Sequence, residues 1–476
     1  QYVAVALEWC ELAPDFVIGR RELKWVDSCG MICSEDELEL QPDRSAGVIL
    51  LEKEFSDVDF AKKLGEPFHS LSLPFITAGW REVHYPIADT VMDLDNKFIT
   101  NRPDLFWVHS NARECSAIYD LDLTPTIDQM AFWKDTIDCV VECKGILNYT
   151  LTEYKDVTIQ DSPLVVKTLL HRSGLAVRNN FVDLTNLIST ETAQPMHAMD
   201  ADKISGQIVV RKAKKWEHFR WLDGNDYELT EDDIVIADDE KVLDLGWIMG
   251  AENCAVSETT TRVILEAAVF DAVQVRKTAS RLGIRTDASM RMEKYQDSEN
   301  PERAQARFQE LLEFCWVESK ISATYRHKEA VETVKISATW NFINKKSGIE
   351  ISSETTIKSF QKLGFSIDSQ DAEWLTVIVP SWRATKDVTI PEDLVEEVAR
   401  LQDYNTFPLQ PIADRERTAQ PDKILDLEAW LSNYFLSQWL YDCYTYTFTS
   451  QRRNSYFQDS NNQLEVTHSY SEEYAI

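Results

Sequence analysis

The chain has 476 residues, 44% hydrophobic and 27% charged, enough for about three or four globular domains, each with its own core. Lys+Arg 49 against Asp+Glu 80 give a net charge of −31, which excludes a broad nucleic-acid-binding face of clustered positive charge; a nucleic acid would have to be met through local patches or a more basic partner. No apolar run reaches membrane-spanning length, no signal peptide is read, and nine scattered cysteines without zinc-site spacing point to reduced thiols in a cytoplasmic protein.

Residues 1–55 alternate strand-like runs such as QYVAVAL with turns and carry SCGMICSEDELEL, a loop before an acidic helical start. The composition suggests the end of a small OB-like β-barrel. Because both ends look cut, a piece of a longer protein is expected. Residues 56–138 contain the helix RPDLFWVHSNARECSAIYDL, with Pro103 near its start and Leu105, Val108, Ala112 and Ala117 on one face. A long α/β region over 139–328 is opened by DVTIQ and PLVVKTLLHRSG, both read as strand-like. It continues through the strands GQIVVRKA, DDIVIADD and RVILEAAVF. A helix DAVQVRKTASRLG then stops on Gly283, and another starts at Asn300-Pro301. Residues 329–411 combine the helix ISSETTIKSFQKLGF, the strand WLTVIVP and an acidic helix. Beyond a Pro-containing linker, residues 412–476 carry the helix KILDLEAWLSNYFLSQWL and the strand-like YTYTFTS. The fold class is α+β, multidomain.

Several positions look chemical. Glu266 sits in the middle of RVILEAAVF, a run of the kind buried on both faces of a sheet. A bare buried carboxylate is expensive, so Glu266 is expected to face a cavity, a donor or a ligand, or else to sit at an edge in water. His197 follows a Gln-Pro turn and precedes a polar helix start; a lone His is more often structural. Thr286 to Ser289 read alone as a capping box, and Gly246 and Gly250 bracket a tight turn. In DVTIPEDLVEE, Asp393, Glu396 and Glu397 fall on one helical face at i, i+3 and i+4, with Asp387 from the preceding turn. Such oxygens suit Mg²⁺; the plain alternative is a solvated acidic face with a Glu396–Arg400 pair.

Taken in order, these segments resemble the β subunit of bacterial phenylalanine–tRNA ligase. SCGMICSEDELEL is similar to the end of that subunit's tRNA-binding barrel, and MDLDNKFITNRPDLFWVHSNAREC to its next, helix-bearing domain. FVDLTNLISTETAQPMHAMDADKI, LDLGWIMGAEN and VILEAAVFDAVQVRKTASRLGIRTDASMRMEK resemble its editing domain. VPSWRATKDVTIPEDLVEEVARLQDYNTFP resembles its magnesium-bearing domain, while YTYTFTS and SYSEEYAI resemble the start of its catalytic-like domain.

The resemblance implies an editing pocket that hydrolyses tyrosine wrongly esterified to the phenylalanine tRNA. By motif, that pocket falls on His197, Gly250, Glu266, Thr286 and Ala288. Glu266 would accept the phenol, His197 would position water or the ester, Thr286 would add a hydrogen bond, and Gly250 and Ala288 would leave room for the ring. The family's magnesium ligands fall on Asp387, Asp393, Glu396 and Glu397, with the ion between this subunit and the α subunit. In such an α2β2 complex the α subunit carries the ATP and phenylalanine site, and the β subunit alone does not aminoacylate. The expected function is therefore support of ATP-dependent phenylalanylation of tRNA, together with editing. A non-catalytic scaffold for the α subunit and a free-standing deacylase are the alternatives. Among departures from the family pattern, Ala251 stands beside Gly250 where a second Gly is usual, and Tyr295 replaces an expected Gly.

Overall fold

The computed structural model describes most of residues 101–123, 134–409 and 422–475, together with six short strands between residues 5 and 32. Those strands pair locally and antiparallel: Val5–Leu7 with Gly30–Ile32, Glu11–Ala13 with Phe16–Val17, and Arg21–Leu23 with Val26–Ser28. The acidic helical start expected at SEDELEL lies outside the described residues. The chain divides into two compact units, Gln1–Phe407 and Pro408–Ile476.

Two sheets dominate the first unit. The four-stranded sheet is antiparallel, in the order Lys320–Lys328, Ile146–Lys155, Arg262–Phe270, His197–Asp200. The five-stranded sheet runs Met249–Gly250, Val242–Leu245, Ile234–Ala237, Ile208–Lys212, Cys139–Val141, and its last pairing is parallel. Strand Arg262–Phe270 is buried on both faces, as its unbroken apolar sequence demands. With period two, Val263 and Leu265 join Phe181, Leu184 and Phe308 of the helices Asn180–Thr192 and Asn300–Phe314. Ile264 and Ala268 face the other way, into a core shared with Ile236, Leu243 and Leu245 of the five-stranded sheet. Glu266 shares that second face by the same alternation.

Several expectations change here. PLVVKTLLHRSG holds the helix Leu164–Arg172, because Val165, Val166 and Leu170 pack on the first core and tertiary burial overrides β-branched propensity. DVTIQ is not a strand: strand Ile146–Lys155 ends where Asp156 takes φ 60°. The helix after Pro103 is split into a 3₁₀ turn, Pro103–Phe106, and a helix Val108–Tyr119 that buries Ala117 but leaves Val108 exposed. The helix Asn180–Thr192, capped by Asn179 accepting from the Val182 amide at 3.0 Å, was not anticipated. His197 opens the short strand His197–Asp200, and the polar helix start expected after it is a 3₁₀ turn, Ala201–Lys203, capped by Asp200.

A three-stranded antiparallel sheet, in the order Lys335–Thr339, Trp374–Ile378, Ser366–Gln370, packs with the helices Trp340–Ser347, Ser353–Lys362 and Pro391–Leu401 around Phe360, Leu375, Leu394 and Val398. Ala117 enters this same core. The Trp382 ring lies 3.9 Å under the Arg113 guanidinium and 5.5 Å from that of Arg303, so three separate segments meet on one indole. In the second unit, helix Lys423–Ser437 forms as expected, whereas YTYTFTS takes no regular structure and Tyr444 and Tyr446 stand exposed. No described helix is long and apolar enough to cross a membrane. The described cysteines are all free thiols.

Candidate functional site

Two cross-strand pairs build the first site. Glu266 stands opposite His197 in the four-stranded sheet, and Asp244 stands opposite Gly250 in the five-stranded sheet. Where the sheets share their core, the pairs meet. The His197 Nδ1 lies 3.4 Å from an Asp244 carboxylate oxygen and 3.9 Å from one of Glu266. A Cβ placed on Gly250 would lie 2.4 Å from the imidazole, so the glycine is required for the ring to seat. The 18% exposure of the His197 side chain makes it the rim of the site, and the wholly buried Glu266 is its floor.

The site's electrostatics are unresolved by its own side chains. Neither Glu266 oxygen has a hydrogen-bond partner, and the same holds for His197 Nδ1 and the Tyr149 hydroxyl. Burial first, and the charge of Asp244 second, push the Glu266 carboxyl well above the ordinary carboxylate range, while Tyr149 opposes the rise. Tyr149 therefore sits close beside Glu266, in a geometry short of a full hydrogen bond. Burial raises the Tyr149 phenol in turn, with Glu266 adding to the effect.

Thr286 and Ala288 stand elsewhere on the same framework. Thr286 caps helix Asp287–Met292: its hydroxyl accepts from the Ser289 amide at 3.0 Å and donates to the Ile248 carbonyl at 2.7 Å. Its amide donates to the Ser289 hydroxyl, completing the capping box. Thr286 thus ties that helix to the turn that carries Gly250. Ala288 lines a separate cleft of about 140 Å³ with Met196, Ser189 and Arg291. The geometry therefore joins His197, Glu266 and Gly250 directly, and Thr286 only through the Ile248 backbone.

The four carboxylates near helix Pro391–Leu401 are distributed differently. Glu397, 4% exposed, receives two hydrogen bonds from Arg383, at 2.9 and 2.7 Å, and others from Arg400. Arg383 also bonds Asp387, which Arg102 approaches to 3.5 Å. Arg102 reaches Glu114 at 2.6 Å, and Glu114 meets Arg400 at 2.6 Å. Arg102, Glu114, Arg400, Glu397, Arg383 and Asp387 thereby close a ring of alternating charge. Burial opposes ionisation of Glu397, but the bonds and charge of Arg383, aided by Arg400, outweigh it and hold the carboxyl at about 2. For Asp387 burial wins, and its pKa is raised despite Arg383. Asp393 caps its own helix by accepting from the amides of Thr389 at 2.7 Å and Ile390 at 3.0 Å, and Glu396 is exposed. So arranged, the four do not converge to fit a single ion: two are neutralised by guanidinium groups and one is engaged as a cap. Arg400 pairs with Glu397 and Glu114, not with Glu396 as the plain reading of the helix face had it.

Asp244, Tyr149, Arg102 and Glu114 are functional or structural partners that sequence reasoning missed. Asp244 gives one signal, a carboxylate inside the apolar strand VLDL, the same pattern that singles out Glu266.

Residues 146–315 match the family model of the B3/4 domain, and residues 336–404 that of the tRNA synthetase B5 domain. A phenylalanine–tRNA ligase beta subunit of Solibacter usitatus is 34% identical over 450 residues, 91% of this chain and 54% of that protein. The namesake of Streptococcus thermophilus is 33% identical over 417 residues (85% and 49%), and that of Oceanobacillus iheyensis 31% over 468 (95% and 54%). The chain spans about half the length of these relatives.

Proposed function

Since the chain belongs to the family of phenylalanine–tRNA ligase beta subunits, we propose that it serves such a ligase as a partner of an α subunit and clears tyrosine mischarged onto tRNA at the His197–Glu266 site. The observation that carries this reading is Glu266, wholly buried with both oxygens lacking a partner. A site holding an unsatisfied hydrogen-bonding group favours a ligand that supplies the missing hydroxyl and rejects the analogue without it, by factors of up to about 10⁴–10⁵. The tyrosine phenol has that hydroxyl and phenylalanine lacks it. In this reading His197, at the rim, holds water against the ester carbonyl; the attack breaks the bond to the ribose, whose oxygen takes the proton, and leaves free tyrosine and tRNA.

Phenylalanylation itself, with its ATP, belongs in this proposal to the assembled α2β2 complex. The magnesium ion expected at Asp387, Asp393, Glu396 and Glu397 also remains a proposal for that complex. Arg383 and Arg400 already neutralise Asp387 and Glu397 in this chain, and no step is routed through the ion.

A second reading, a scaffold without hydrolysis, is favoured by one observation: the Thr286 hydroxyl is engaged both as donor and as acceptor within the framework. Deacylation of tyrosyl- and phenylalanyl-tRNA by the purified chain separates the two, run with chelator present and with Glu266→Ala and Glu266→Gln beside the native protein. Selective release of tyrosine, reduced at least tenfold by either substitution, is expected. Equal turnover of both substrates, or none of either, sinks the editing assignment.

A further inference from the structure

We propose that His197, Asp244 and Glu266 form a binding site for a divalent transition cation of the zinc class. This inference rests on the geometry of the three side chains and is independent of the editing reading. One ligand atom from each, an imidazole nitrogen of His197 and one oxygen from each carboxylate, all lie within 4.8 Å of one another. Zinc bonded tetrahedrally at about 2.0–2.1 Å sets its ligand atoms roughly 3.3 Å apart. The His197–Asp244 separation of 3.4 Å is already at that spacing, and the His197–Glu266 separation of 3.9 Å is close to it. The widest pair, at 4.8 Å or less, must close by about 1.5 Å at most, within the reach of carboxylate rotation.

A second observation points independently to a ligand. Glu266 is wholly buried, and its two oxygens, the Nδ1 of His197 and the Tyr149 hydroxyl are polar atoms without hydrogen-bond partners. Buried polar atoms are satisfied in nearly all native structures, and the orphaned Glu266 oxygens facing the orphaned His197 Nδ1 call for a missing occupant. Two carboxylates held together in a protein interior also repel, and a cation between them converts that repulsion into attraction. The seat is prepared on the histidine side: the missing Cβ of Gly250 leaves room for the imidazole, with Nδ1 turned to the carboxylates and Nε2 against the glycine.

The donor set selects the metal. One imidazole nitrogen and two carboxylate oxygens suit zinc with a fourth position open, whereas calcium and magnesium want six or more oxygens. Thiolate is not part of the set, because the Cys254 Sγ is turned to the carbonyls of Leu243 at 3.4 Å and Ala251 at 3.6 Å. The Tyr149 hydroxyl, beside Glu266, is placed to orient the coordinating carboxylate from outside, as partners of metal ligands do. A bound ion would take the oxygens that a tyrosine phenol needs, so ion and phenol exclude one another.

The test is a zinc titration of the full chain against a chromophoric chelator, without tRNA, repeated on the near-isosteric variants Asp244→Asn, Glu266→Gln and His197→Asn. One zinc per chain is expected, with affinity at least tenfold weaker in each variant that melts as a folded protein without zinc. On the native chain, cobalt in place of zinc should give ligand-field bands and no thiolate charge-transfer band. Absence of stoichiometric zinc binding, a thiolate band, or affinity unchanged in the folded variants overturns the site. Because the deacylation assay contains chelator, either proposal can fail without the other.

Discussion

Replacing Glu397 by Gln tests the charge ring most directly. The substitution keeps the size and one acceptor oxygen but removes the charge that faces Arg383, itself 2% exposed. The fall of the Glu397 carboxyl from 4.5 to about 2 corresponds to roughly 3 kcal/mol at ~1.36 kcal/mol per pH unit. Breaking one side of a buried ion pair costs about 3–5 kcal/mol, and the lower end applies because Arg383 keeps Asp387 and Arg400 keeps Glu114. Unfolding of so large a chain is not two-state, so local opening of helix Pro391–Leu401 is the better measure, read by native-state hydrogen exchange. Exchange there should accelerate by about two orders of magnitude in Glu397→Gln, as ~3 kcal/mol requires. Arg383→Met should do the same, and the double variant should cost at least ~1 kcal/mol less than the sum, since each single change strands the other's partner. The sign with pH also follows. A depressed carboxyl gives stability that is fully present above about 4.5 and is lost as the pH falls toward 2; Glu397→Gln should lack that acid-dependent portion. Single variants that cost under ~1 kcal/mol, or that add without coupling, would refute the ring as a structural element.

Three further outcomes are expected. Gly250→Ala should displace the His197 ring, which would otherwise stand 2.4 Å from the new Cβ; a cost of about 1–3 kcal/mol and loss of tyrosyl-tRNA deacylation should appear together. Thr286→Ala should cost about 1 kcal/mol through the lost cap, with Thr286→Ser restoring it, as measured by exchange in helix Asp287–Met292. Phe308→Ala should cost about 3–5 kcal/mol, read by native-state hydrogen exchange in helix Asn300–Phe314, because the ring is fully buried against Tyr154 and Phe181 at 5.7 and 5.5 Å.

What could be read in the residues divides along physical lines. Elements with a strong local signal were legible: RVILEAAVF as a doubly buried strand, Gly283 as a helix stop, and Pro391 opening the acidic helix. PLVVKTLLHRSG was misread because a short apolar run serves a buried strand and a buried helix face equally well. YTYTFTS alternates as a strand does but finds no strand partner among the described residues. At the His197 site, the apolar neighbours of Glu266 left two readings open, a buried position and a solvent-facing edge, and the structure buries it. Asp244 was not anticipated, because its approach depends on how two sheets come together. The spacing of Asp387, Asp393 and Glu397 was visible, yet spacing says nothing of Arg102 and Glu114, which arrive from far upstream.

That distance has a consequence for how the protein is made. Glu114 and Arg400 are 286 positions apart, so helix Val108–Tyr119 leaves the ribosome long before its partners exist. At about 5–20 residues per second, the wait for residue 400 is roughly 15–60 s. Throughout that interval Arg102 lacks Asp387 and Glu114 lacks Arg400, while the intervening sheets have time to fold as units. Closure of the ring is then a late event in synthesis, and a nascent chain stalled before residue 400 would hold its upstream segment open to competing contacts.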